Sequence, residues 1–164
     1  ALYEIPLLND AYGDLMLKYH ANFNYMFFWI AGFAFFAFIT NLIREIIKDA
    51  EDFEGDSAYG MNTLPICLGI KWTKTILGLL ISLSIILLTF VMRFIVFSGE
   101  NPDMITASYF IFFLIIPFAV LLYMVITANS KKDYSRASVV LKIIMLFGIF
   151  YSCVVNYIIT YKII

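Results

Sequence analysis

The sequence predicts an all-α transmembrane protein with four membrane-crossing helices, and three observations carry that expectation. Of its 164 residues 63% are apolar and 14% charged, where soluble domains hold roughly 45–50% and 25%. The mean hydropathy is +0.91. Four stretches nearly free of charge are each long enough to cross about 30 Å of hydrocarbon, which takes about 20 residues. Lipid admits no open sheet edge, so each stretch is expected to be a helix. A water-soluble globule of this length would leave a large apolar area wet. The net charge of −1 gives no electrostatic footing for a nucleic-acid partner.

The first helix is expected over about 21–54. Its apolar part is rich in aromatics (Phe27, Phe28, Trp29, Phe33, Phe36, Phe38), and no helix breaker follows before Gly55. The second is expected over 72–98, with Arg93 near enough to its end to snorkel. The third, over 104–128, contains Pro117, which predicts a kink. The fourth is expected over 139–162. Polar connections are left at 55–71 and 129–138, with a Gly99- and Pro102-containing turn from Ser98 to Asp103 between them. The two longer connections and their flanks carry Arg44, Lys48, Lys71 and Lys74, then Lys131, Lys132, Arg136 and Lys142. Four crossings put both on one side, which the positive-inside rule makes the cytoplasm. The chain opens on Ala-Leu-Tyr-Glu-Ile-Pro, without a Met or a signal segment, and reads as a portion of a longer protein.

Half of the twelve acidic residues, Glu45, Asp49, Glu51, Asp52, Glu54 and Asp56, fall within twelve consecutive positions. At about 100° per residue, Glu45, Asp49, Asp52 and Asp56 share an arc of about 60° if the helix persists, while Glu51 and Glu54 point away. Asn41 and Lys48 fall on the shoulder of the arc. Like charges stacked at helical spacing destabilise a bare helix, so a counter-charge is expected. Magnesium is the natural candidate, because it takes one or two carboxylates, keeps waters and shares substrate phosphates. Arg44, Lys48, Lys71 and Lys74 could hold the oxygens of a diphosphate. Ionisable groups that begin inside the interfacial turn of a membrane helix are costly, which favours function over a merely solvated charge run.

The run Asn41-x-x-Arg44-Glu45-x-x-Lys48-Asp49-x-x-Asp52-x-x-Gly55-Asp56, followed by Gly60, Thr63-Leu64-Pro65 and Leu68-Gly69, resembles the second aspartate-rich motif of the UbiA superfamily of intramembrane prenyltransferases. Lys131-Lys132-Asp133-Tyr134, Ala137-Ser138 and Lys142 look like the connection before that family's last helix. The wording is most similar to the branch of geranylgeranylglycerol-phosphate geranylgeranyltransferases. The resemblance implies a nine-helix bundle with two aspartate motifs on a central cavity, each helping to bind magnesium on a prenyl diphosphate. With four spans and no first motif, this chain would be the C-terminal part of such a bundle, a single membrane domain inactive alone.

The resemblance and the shared face together make Asp52 and Asp56 the expected magnesium ligands, with Asp49 as a third. Asp52, Asp56 and Lys48 would serve catalysis, and Asn41, Arg44, Lys48, Lys71 and Lys74 would bind the diphosphate. Expected partners are the bilayer, an isoprenyl diphosphate, and a lipid acceptor, first of all geranylgeranylglycerol phosphate, or else an aromatic one such as 4-hydroxybenzoate. Two other readings compete. A CDP-alcohol phosphotransferase would need an Ala-Arg element and a Gly-x-x-x-Asp spacing that are absent at Asp52. A cation or solute transporter fragment would place ionisable residues near the bilayer midplane, whereas these cluster at one interface. The aromatic faces of the first helix could favour a carbocation or serve as packing bulk.

Overall fold

The computed structural model describes the backbone of residues 9–96 and 104–162 and the side chains of 27–94 and 104–155; the expected Ser98–Asp103 turn lies outside the described residues. The chain divides into two compact units, 1–36 and 37–164. In the first, helix α1 (Asn9–Glu51, continuing into the second unit) carries exposed Phe27, Phe28 and Phe35, and Trp29 lies against Phe33 with ring centroids 6.3 Å apart.

In the second unit α1 ends at Glu51, short of the expected end near 54, and Asp52 takes φ −95°, ψ 12°. The break favours only the acids that follow it, because a helix N-terminus stabilises carboxylates while a C-terminus disfavours those of Asp49 and Glu51 in the last turn of α1. The new helix α2 (Phe53–Ala58) has Glu54 and Asp56 in its first turn. The expected 55–71 loop is therefore partly helical. A turn at Gly60, with φ +65°, leads to the short α3 (Leu64–Leu68), with Pro65 in its first turn where no N–H is needed.

Gly69 closes α3 at φ +83°, ψ 155°, its N–H donating to the Pro65 carbonyl at 2.8 Å. The chain then enters α4 (Ile70–Val96). The third span is composite: α5 (Met104–Tyr109), a π-helical turn (Phe110–Ile115) and α6 (Ile116–Thr127). Pro117 offers no N–H to the preceding turn, and the widened turn takes up the disturbance expected there as a kink. The last helix, α7 (Lys131–Lys162), begins well before the expected 139. Only Ala128, Asn129 and Ser130 separate it from α6.

Within this unit α6 packs between α4 and α7. Each helix buries one narrow stripe at three- and four-residue spacing: Leu77, Ile81 and Ser84 on α4, Phe118, Leu121 and Val125 on α6, Ala137, Leu141 and Ile144 on α7. Tyr109 donates to the Phe147 carbonyl at 2.7 Å, and Phe110 meets Tyr151 edge-on at 4.8 Å. Outside the stripes, Leu79, Ile86, Phe90, Phe112, Ile126 and Ile149 are exposed. Such a surface suits hydrocarbon rather than water. Four helical segments, Phe27–Glu51, Ile70–Phe94, Met104–Thr127 and Lys131–Val155, are long and apolar enough to cross a membrane, so the fold is all-α and transmembrane, as the composition predicts.

Candidate functional site

The α1–α2 break gathers the carboxylates at one corner. Asp49, Asp52 and Asp56 are each half-buried, while Glu45, Lys48 and Glu54 are exposed. The Asp56 N–H donates to the Asp52 carbonyl at 2.9 Å, so the two aspartates stand one turn apart across the break. Of the acidic groups around Asp49, Asp56 bears on it most strongly, ahead of Glu45 and Asp52, and Lys48 is the cation within reach.

The opposite wall of the corner comes from the far end of the sequence. Lys131, at the start of α7, places Nζ 2.9 Å from Asp52 Oδ1, and Glu51 and Glu54 are also within its electrostatic reach. Lys74 on α4 donates to Asn129 Oδ1 at 3.5 Å. The two basic connections therefore lie at one end of the unit. Between them is a cavity of about 310 Å³ whose lining includes Glu51, Glu54, Lys74, Ser130, Lys131 and Tyr134. Beside it, an apolar groove of about 430 Å³ runs between α4 and α6, past Gly78 and Leu122, with Lys71 and Lys74 at its polar end.

A cap fixes the backbone at the start of α7, from which Lys131 projects. Asp133 Oδ2 accepts from the backbone N–H groups of Asn129 and Ser130 at 3.1 and 2.9 Å and from Ser130 Oγ at 2.8 Å. This one-sided arrangement satisfies backbone donors that a helix start leaves unpaired, while the Asp133 N–H donates to the Ser130 carbonyl at 3.0 Å. The Ser-x-x-Asp spelling before an apolar run is a sequence signature of a helix start and would have placed α7 correctly.

The other expected residues are held differently. Arg44 forms an ion pair with its neighbour Glu45 at 2.7 Å, and the Asn41 amide donates to the Ala37 carbonyl of its own helix at 2.9 Å. Neither is brought to Asp52 by a described contact. Lys131, which the sequence showed only as a basic residue of a connection and as part of a resemblance, is the residue the structure adds beside Asp52.

Hard oxygen donors with cations at their edge suit magnesium, which needs only one or two carboxylates when phosphates and waters complete its shell. Among the described residues no three His, Cys, Asp or Glu side chains converge as a ready metal cage.

Comparison with known proteins finds relatives that share one name. The chain is 35% identical over 114 residues to the digeranylgeranylglyceryl phosphate synthase of Methanosphaera stadtmanae, a match covering 68% of this chain and 39% of that protein. It is 48% identical over 58 residues to the enzyme of that name from Pyrococcus horikoshii, covering 35% of this chain and 21% of the relative. Over 33 residues it is 64% identical to the one from Methanopyrus kandleri, covering 20% and 12%. The matched stretches thus span at most about two fifths of these relatives. No family model matches, and no solved structure matches. The relatives' names agree with the prenyltransferase wording of the sequence.

Proposed function

We propose that the protein to which these residues belong is a magnesium-dependent intramembrane prenyltransferase that moves a prenyl group from an isoprenyl diphosphate to a lipid glycerophosphate, with geranylgeranylglycerol phosphate as the first-choice acceptor. The observation that carries the reading is the similarity to digeranylgeranylglyceryl phosphate synthases together with the carboxylate corner at Asp49, Asp52 and Asp56.

The chemistry asks for what that corner holds. Breaking the allylic C–O bond leaves diphosphate with the electron pair and a cation on the prenyl carbon, which the acceptor's hydroxyl oxygen attacks as its proton is lost. Bound magnesium would neutralise charge developing on the leaving group. Asp52 and Asp56 would hold the metal, with Asp49 direct or through water. Lys48, Lys71 and Lys74 would bind diphosphate oxygens, as would Arg44 once released from Glu45, with Asn41 beside them. The largely apolar groove between α4 and α6, with Lys71 and Lys74 at one end and Ser82 further along, is suited to a hydrocarbon chain with an anionic head. The acidic corner would face the cytoplasm by the sorting of basic residues.

The test is prenyl transfer by the full-length protein in detergent or membranes, using radiolabelled geranylgeranyl diphosphate and magnesium. Geranylgeranylglycerol phosphate and 4-hydroxybenzoate are offered in parallel, with a chelator control. The expected result is a magnesium-dependent lipid product with the first acceptor. Product from 4-hydroxybenzoate alone would move the chain to the aromatic-acceptor branch, and no metal-dependent diphosphate binding at all would overturn the reading.

A further inference from the structure

We propose that the groove between α4 and α6 seats the hydrocarbon chain of the prenyl diphosphate, with Gly78 setting its width and so the donors it admits. The inference rests on the prenyl-transfer reading above and gives its donor a seat and a specificity-determining residue.

The lining of the groove defines what it can hold. One end presents Lys71 and Lys74, and among the described residues no carboxylate lines it or pairs with either ammonium. Lys74 has only a long contact, 3.5 Å, to Asn129 Oδ1. Two uncompensated ammonium groups beside an apolar trough match an amphiphile whose head carries more than one negative charge. The trough continues past Gly78 to Ser82, about 16 Å from Lys71 at 1.5 Å per residue. Its rim, Leu79 and Ile126, is exposed, so an amphiphile dissolved in the bilayer can enter from the side. Lys74 also lines the cavity beside Ala50 and Glu51, where α1 ends. The head therefore lies at the same end of the unit as the acidic corner, where a donor's diphosphate is needed and a bulk phospholipid is not.

Gly78 is an independent observation. A glycine inside a helix costs stability relative to alanine, and a fold needs one there for a positive φ or for close approach of two helices. Neither applies. The described glycines with positive φ are Gly60 and Gly69, and a Cβ on Gly78 would meet only Leu122 Cδ1, at an ordinary 3.9 Å. What the glycine does is keep the floor of the groove low about 10 Å from Lys71, where a larger side chain would dam it.

The test uses the full-length protein in detergent with magnesium and a geranylgeranyl diphosphate that carries a photoreactive group on its third isoprene unit. Labelling is expected at Leu79, Ser82 or Leu122, suppressed by excess unmodified geranylgeranyl diphosphate. Label confined to other helices, or suppressed by phosphatidylglycerol but not by the diphosphate, would overturn the inference. Direct binding is the second readout. Gly78→Leu is expected to bind geranylgeranyl diphosphate about tenfold weaker while inorganic diphosphate binds as before. Gly78→Ala is expected to weaken the prenyl ligand less and to melt above the wild type. Equal loss of both ligands in Gly78→Leu, no loss of either, or a lower melting temperature in Gly78→Ala would make the glycine a packing residue and overturn the inference. A wild-type protein that neither labels nor binds diphosphate with magnesium would instead overturn the prenyl-transfer reading itself.

Discussion

Asp52 carries two duties that its type alone would not suggest. Its backbone stands at the break between α1 and α2, and its side chain meets Lys131. Asp52→Asn and Asp56→Asn are expected to cut prenyl transfer at least on the order of a hundredfold, while both proteins insert into membranes and elute as wild type. Transfer rates beside a membrane-fractionation control decide this. The carboxylates were legible in the sequence as a cluster, Asp49, Asp52 and Asp56 lying within eight positions, although their shared face was expected from one unbroken helix and α1 stops at Glu51. Lys131 was not, because it lies 79 residues from Asp52 and nothing in a single sequence reports a contact of that range. Arg44 shows the converse limit. Its place beside the motif was plain, but its adjacent partner Glu45 claims it at 2.7 Å.

The elements were legible where composition is extreme and less so at their ends. Apolar length alone located all four spans, whereas the polar ends of α1 and α7 are set by charge and capping. Asp133→Ala removes the acceptor for three donors and is expected to lower stability, with faster amide hydrogen exchange over the first turn of α7. Gly69 joins α3 to α4 at φ +83°, ψ 155°, a region essentially reserved for glycine. A Cβ there would meet nothing within 4 Å, so the cost of Gly69→Ala is purely conformational, about 1–3 kcal/mol. Thermal unfolding in detergent measures both losses. The π turn before Pro117 was expected only as a kink, because proline dictates that the ladder is disturbed but not how the preceding turn absorbs it.

At the scale of the molecule, the basic connections meet at one end and the wide apolar faces of α4, α6 and α7 are left for lipid. Cys67 is exposed in the connection that carries the acidic corner, so it reports orientation. In a Cys153→Ser background a membrane-impermeant maleimide is expected to label Cys67 in inside-out vesicles and not in sealed right-side-out ones; the reverse would place the acidic corner outside. The contact between Asp52 and Lys131, 79 residues apart, also sets an order in time. Chains emerge from the ribosome at about 5–20 residues per second, so the acidic corner exists for roughly 4 to 16 s before its cation has been synthesised. During that interval the nascent first helix holds Asp52 without its distant partner at the membrane surface, with only the nearby Arg44 and Lys48 as its own cations, and the corner is finished only when the last hairpin docks.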